Sequence, residues 1–367
     1  MKRLLKWLPA IVAPVVVAGV VAAPAFATTA SPGRAESVAT ATKTPTPAQA
    51  LALIAKAKGA HYSGTVRQTS DLGLPDLSSA LGELGASGSQ SSDILDLLTA
   101  SHTAKIYVDG STKQRVQVLD SLVERDVVRN GRTVWTWDSK ANAAVKVTLP
   151  SKTARNDATP SATPQDLATK LVAQAKKSST LTVSKGSTAG RSVWRVTLAP
   201  KASQAADTLV AKVVLSVDAK TGVPLAVQVD AAGQKSPAVT VGFSSVDFST
   251  PAASNFTFTP PKGAKVTTKK LSASSHTASP DNRRPGSFEG PTVTGTGWTS
   301  IVAVPAGSLG AGTAGLTAAE SHTLNELTQS VDGGRGLQTS LFSVFLTDDG
   351  SIYAGAVPLS TLESAAK

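Results

Sequence analysis

The sequence predicts an α+β protein: one large, strongly curved antiparallel sheet with helices on its concave face, then a small C-terminal α+β unit. Three observations lead there. About eleven short runs of alternating apolar and polar residues occupy positions 61–259, the period of half-buried strands. Hairpin dipeptides punctuate them at Asp109-Gly110 and Asn130-Gly131, and Lys220-Thr221-Gly222 makes a further turn. Two capped helical stretches and a leucine-rich insertion interrupt the series, so helices have a sheet to cover.

The elements follow in order. Lys2, Arg3 and Lys6 precede an apolar run from Leu8 to Ala23 and an A-x-A site at Ala25-Phe26-Ala27. That is the pattern of an export signal, predicted at 1–27 and cleaved after Ala27; Pro9, Pro14 and Pro24 argue against a retained anchor. Residues 28–45, rich in Thr, Ala, Ser and Pro without a period, read as a disordered leader. Thr46-Pro47-Ala48-Gln49 starts a helix, with Thr as cap, Pro at the first position and Gln three residues after the cap. A strand from His61 to Thr69 comes next.

Residues 71–101 break the strand rhythm. Leu77, Leu81 and Leu84, then Ile94, Leu97 and Leu98, mark two short amphipathic helices around a Gly/Ser linker. The segment suits a movable lid, or equally helices packed on the sheet. Strands are then expected at 105–108, 114–119, 124–129, 133–137 and 144–149, a helix capped by Thr163 with Leu167, Leu171 and Ala175 on its stripe, and strands at 180–183, 193–198, 209–218, 224–230, 238–248 and 256–259. Pro260-Pro261 forbids further ladder bonding and is expected to end the last strand at a sheet edge. Residues 267–296 read as a linker. The tail, 297–367, reads as strand 300–304, Gly-rich loop, helix 317–331, strand 341–347, an Asp349-Gly350 turn, strand 352–357 and a short helix.

Composition narrows the function classes. The chain has 367 residues, 41% of them hydrophobic, and only 17% charged, against about 25% in an ordinary domain. It has no cysteine, which excludes disulfides and a lipid-bearing N-terminal Cys. Loss of the three signal-region cations lowers the net charge from +11 to +8. An exported basic protein is drawn to anionic membrane surfaces or wall polymers; nucleic acid is not an expected partner there.

No residue pattern points to catalysis, so no catalytic residue, metal ligand or cofactor is assigned, and the protein is expected not to be an enzyme. Gly310-x-Gly312-x-x-Gly315 sits between a strand and a helix but lacks the second βαβ unit of a dinucleotide fold, so it reads as a flexible loop. His61, His102, His276 and His322 show no ligand spacing. Asp348-Asp349-Gly350 lacks the alternating oxygens of a calcium loop.

What remains is apolar excess at strand period. Trp135 and Trp137 share one strand face, as do Trp194, Val196 and Leu198 on another, Val213, Leu215 and Val217 on a third, and Leu225 with Val227 on a fourth. With Phe256, Phe258 and the lid residues Leu77, Leu81, Leu84, Ile94, Leu97 and Leu98, these form either an ordinary core or the lining of a cavity open to acyl chains.

Residues 46–266 resemble the LolA/RseB-type lipid-carrier superfamily. The likeness rests on the capped helix leading into the strand at His61, and on Asn130-Gly131-Arg132-Thr133-Val134-Trp135. It rests further on the turn Asp218-Ala219-Lys220-Thr221-Gly222-Val223-Pro224 and on the ending Phe256-x-Phe258-x-Pro260-Pro261-x-Gly263. The resemblance implies an unclosed β-barrel with a helical lid over a hydrophobic cavity for acyl chains of lipids or lipoproteins, in a soluble extracytoplasmic carrier. It offers an alternative: an RseB-like sensor that also contacts a membrane anti-sigma-type protein through the 297–367 domain. The family's lid-controlling Arg-Pro turn has no match in 108–112, where only Lys113 and Arg115 lie nearby.

Overall fold

The computed structural model describes residues 44–74, 101–119, 123–150, 175–270, 291–306 and 327–367. Helix α1, Pro47–Lys56, begins as expected. The Thr46 hydroxyl accepts from the Gln49 N–H at 3.3 Å, and the Gln49 side chain accepts from the Thr46 N–H at 2.8 Å, which satisfies two otherwise orphaned donors.

Twelve strands form the main sheet: β1 His61–Ser70, β2 His102–Asp109, β3 Lys113–Leu119, β4 Glu124–Asn130, β5 Thr133–Asp138, β6 Ala143–Thr148, β7 Ser179–Thr188, β8 Arg191–Pro200, β9 Val210–Asp218, β10 Pro224–Ala231, β11 Val239–Asp247 and β12 Lys265–Lys270. Their spatial order is β12-β6-β5-β4-β3-β2-β1-β11-β10-β9-β8-β7, so the first and last strands are not paired and the sheet is unclosed. It is also curved. In a flat sheet β7 would stand about 19 Å from β11, four spacings of about 4.8 Å. Here their Cα atoms come within 8 Å. A short helix α2, Ala202–Ala205, joins β8 to β9.

Two expectations about this sheet need correction. It is not wholly antiparallel, because β12 runs parallel to β6 with Lys265 opposite Ala143 and Lys270 opposite Thr148. The predicted edge strand at 256–259 is not a strand either. Ala253–Phe256 is a 3₁₀ turn lying against β3 and β4, and Phe258 follows in irregular chain. The chain leaves β11 beside β1, crosses one face of the sheet as a strap, turns at Gly263 and pairs outside β6. Phe-x-Phe alternation is equally compatible with a strap, and Pro260-Pro261 suits a segment that makes no ladder bonds. Pairing continues to Lys270, into the stretch read as linker.

The tail forms a second, six-stranded antiparallel sheet. Its strands are β13 Thr292–Thr294, β14 Ile301–Val304, β15 Gln329–Val331, β16 Gly334–Gln338, β17 Ser343–Thr347 and β18 Ile352–Gly355, followed by helix α3, Leu359–Ala365. Residues 329–331, expected to end a helix, are a strand paired with β16 through the Asp332-Gly333 hairpin turn. Ile301, Phe345, Val357, Leu359 and Leu362 make the tail's own core.

The tail does not stand apart. Trp298, Leu341 and Ala356 are buried in one cluster with Ala50 of α1, Leu72, and Val196, Leu198, Val213 and Val229 of the main sheet. The Trp298 indole donates to the Ser179 hydroxyl at 2.9 Å, and Ala356 accepts from the Thr208 hydroxyl at 2.7 Å. The export signal at 1–27, nearly all of the leader and the leucine-rich insertion from position 75 on lie outside the described residues, as do the Gly310–Gly315 loop and the helix expected from Thr163 to residue 174. Among the described residues no helix is long and apolar enough to cross a membrane.

Candidate functional site

Register decides which predicted site residues meet. Strand residues alternate between the two faces of the sheet, so cross-strand partners share a face. Trp135 opposes Val128, Val128 opposes Arg115, Arg115 opposes Tyr107, and Tyr107 opposes Ser63 of β1. Leu215 opposes Val227, Val227 opposes Val241, and Val241 opposes Gln68 of β1. Ser63 and Gln68 lie on opposite faces of β1. The tryptophan pair and the Val/Leu set therefore occupy opposite sides of the sheet, and one cavity does not contain them all.

Val196, Leu198 and Val213, with the partly buried Leu215 and Val227, are core beneath α1 and the tail. Trp194 and Val217 are buried as well. Leu225 is buried with Val193 and Val223 against Ala57, Ala60 and Tyr62. On the other face, the strap presses Phe258 onto Trp135 and Trp137, with ring centroids 5.5 and 6.2 Å apart, while Phe256 is fully buried. Val128, Trp135, Phe256 and Phe258, with Asn130, Thr133 and Thr257, line a small groove of about 270 Å³. Leu77, Leu81, Leu84, Ile94, Leu97 and Leu98 lie outside the described residues.

Beside this groove, Asp126 is buried opposite Trp137. Burial pushes its carboxyl above the usual range, partly offset by two hydrogen bonds from Arg115, at 3.0 and 2.5 Å. Lys113 bonds Asp109 at 2.9 Å, so both cations near the expected lid-control position are committed to carboxylates within the sheet. His61 Nδ1 also contacts Asp109, and His102 is buried at the start of β2. Among the described residues no group of three His, Cys, Asp or Glu side chains is placed to hold a metal ion.

Sequence reasoning missed a second apolar surface. One row crosses the sheet through Gly64, Ile106, Val116, Val127, Thr136 and Val145, each opposite the next. It lies on the same face as the Val/Leu core but beyond α1, whose main contacts with the sheet are to β7, β8 and β9. None of its four apolar side chains is buried, and Val116 is 37% exposed. Val118, Val134 and Val147 flank it on the same face. The signal was in the sequence as Val-x-Val at 116–118 and 145–147, overshadowed by the larger aromatic residues. The row spans six strands, about 24 Å at about 4.8 Å per strand.

No protein-family model matches the chain, and no curated protein matches it. Solved structures are similar to it. The Pseudomonas aeruginosa MucA/MucB complex is 16% identical, with 87% of this chain and 96% of that chain covered and a TM-score of 0.43. A LolA superfamily protein from Nitrosomonas europaea is 11% identical, covering 58% of this chain and 99% of its own, at a TM-score of 0.24. A putative outer membrane lipoprotein-sorting protein domain from Vibrio parahaemolyticus is 10% identical, covering 57% and 97%, at 0.23.

Proposed function

We propose that this chain is an exported, extracytoplasmic binding protein for acyl chains of lipids or lipoproteins, acting as a carrier rather than an enzyme. The supporting observation is the valine-rich row on β2–β6, which the described residues leave half-covered. Elsewhere on the same face Val196, Leu198 and Val213 are buried under α1 and the tail; here Ile106, Val127 and Val145 are half-buried and Val116 is exposed. A contiguous half-covered apolar surface flanked by a packed core marks a binding surface. Each methylene placed there is worth about 0.8 kcal/mol, so a long acyl chain gains enough to leave water. The test is uptake of a fluorescent fatty-acyl probe, with native mass spectrometry of the protein purified without detergent. Wild type binds stoichiometrically, and Val116→Asp/Val127→Asp weakens binding at least tenfold while circular dichroism is unchanged. A wild-type protein that takes up no probe and carries no lipid overturns the reading.

A second reading is favoured by Val293 and Val302, which oppose each other on β13 and β14 and are 66% and 39% exposed. They form an apolar spot on the tail suited to a membrane-protein partner, as in an RseB-like sensor. Val302→Asp leaves acyl-probe binding unchanged under both readings, and abolishes capture of the partner only under the second.

A further inference from the structure

On the face opposite the core, the curled half of the sheet forms a trough of about 590 Å³ floored by β1 and β7–β11. Arg67, Arg195 and Lys212 enter it from β1, β8 and β9, and none of the described residues that line it is acidic. Lys212 is neutralised by Asp230 at 3.2 Å. Arg195 has only a weak bond to the Ser187 carbonyl, at 3.4 Å, and Arg67 has no partner among the described residues. Among the described residues the trough therefore holds two guanidinium groups without a carboxylate partner. Ser216, only 6% exposed as a residue, also lines the trough with its hydroxyl. Ser184 and Thr197 add further hydroxyls.

We infer that this trough is an anion site for a phosphate-bearing ligand, distinct from the acyl-binding surface. Guanidinium groups bind phosphate oxygens in bidentate fashion, and hydroxyls supply the remaining donors. The volume falls within the range of small-ligand sites, about 300–1,000 Å³. The sheet itself separates this site from the valine row, so its occupancy does not depend on acyl binding. The phosphate belongs either to an anionic lipid headgroup or to a soluble phosphate compound; the chemistry of recognition is the same.

The test uses the purified exported protein at low salt. Arm one is co-sedimentation with vesicles of equimolar phosphatidylglycerol and phosphatidylcholine against phosphatidylcholine alone. Arm two is calorimetry with inorganic pyrophosphate. Arg67→Gln/Arg195→Gln is expected to bind roughly thirtyfold more weakly in the arm that responds, from two lost cationic contacts. Lys220→Gln, on the exposed β9–β10 turn, is expected to behave as wild type, and Arg67→Lys/Arg195→Lys to fall between. Vesicle binding that depends on the two arginines assigns the headgroup, and pyrophosphate binding alone assigns a soluble phosphate. No binding in either arm overturns the inference, as does a Gln/Gln variant that folds and binds as well as wild type.

Discussion

Asp218 is 1% exposed yet accepts bonds from the Arg191 guanidinium at 2.8 and 3.3 Å, from the Lys220 and Thr221 N–H groups at 3.1 and 2.7 Å, and from the Thr221 hydroxyl at 2.9 Å. Burial opposes its ionisation, but these bonds together hold its carboxyl below the usual range. A lowered folded-state pKa means that the stabilisation is complete above the unfolded value, about 3.9, and is lost as pH falls through the folded value. Asp218→Asn is expected to cost about 3 kcal/mol in urea unfolding at pH 7, the scale for breaking a buried pair, and to flatten the stability loss between pH 4 and pH 2. The same turn needs Gly222, whose φ is +75° and where an added Cβ would stand 2.2 Å from the Leu53 carbonyl oxygen. The Asp-x-x-x-Gly-x-Pro pattern is thus a device that closes the β9–β10 turn onto α1. Its spacing was legible; that its Gly meets α1 was not, because that contact spans about 170 positions of chain.

Helix α1 shows how far local signals carry. The Thr46/Gln49 capping box and Pro47 were readable as sequence and are present in the structure. Thr46→Ala is expected to lower stability by about 1 kcal/mol, checked by thermal unfolding, because it removes the acceptor for the Gln49 N–H. The strap from β11 to β12 shows where such signals stop. Alternation at 256–259 cannot distinguish a strand from a chain crossing strands, since both can present every second residue to one surface. What makes it a strap is the pairing of β12 with β6, and that brings Phe258 onto Trp135 and Trp137. In the tail, the Asp332-Gly333 hairpin signal is as clear as Asp109-Gly110 but directly follows an apparent helical pattern that takes in residues 329–331, so β15 and β16 were missed.

At the scale of the whole molecule, the tail and the main sheet share a core through Trp298, Leu341 and Ala356. Trp298→Ala is expected to destabilise the protein by about 3–5 kcal/mol, the cost of deleting a buried tryptophan. It should act on the main sheet as well as the tail. The full chain should then unfold in one transition, with far-UV circular dichroism and tryptophan fluorescence coincident. A chain ending at Lys270 exposes Val196 and Val213 and should lose cooperativity; two separate transitions in the full chain would show two independent units instead.

Local sequence dictates where most strands lie, several of the turns between them, how α1 begins, and that one side of each strand is apolar. These properties depend on residues a few positions apart. Which apolar side is covered follows from long-range packing alone. It placed Trp135 and Val196 on opposite faces, turned β12 parallel to β6, carried the tail into the main core, and left the valine row on β2–β6 half-exposed. Alternation gives a strand two different faces, but which face meets a helix, a tail or solvent depends on register and on burial among residues distant in the chain.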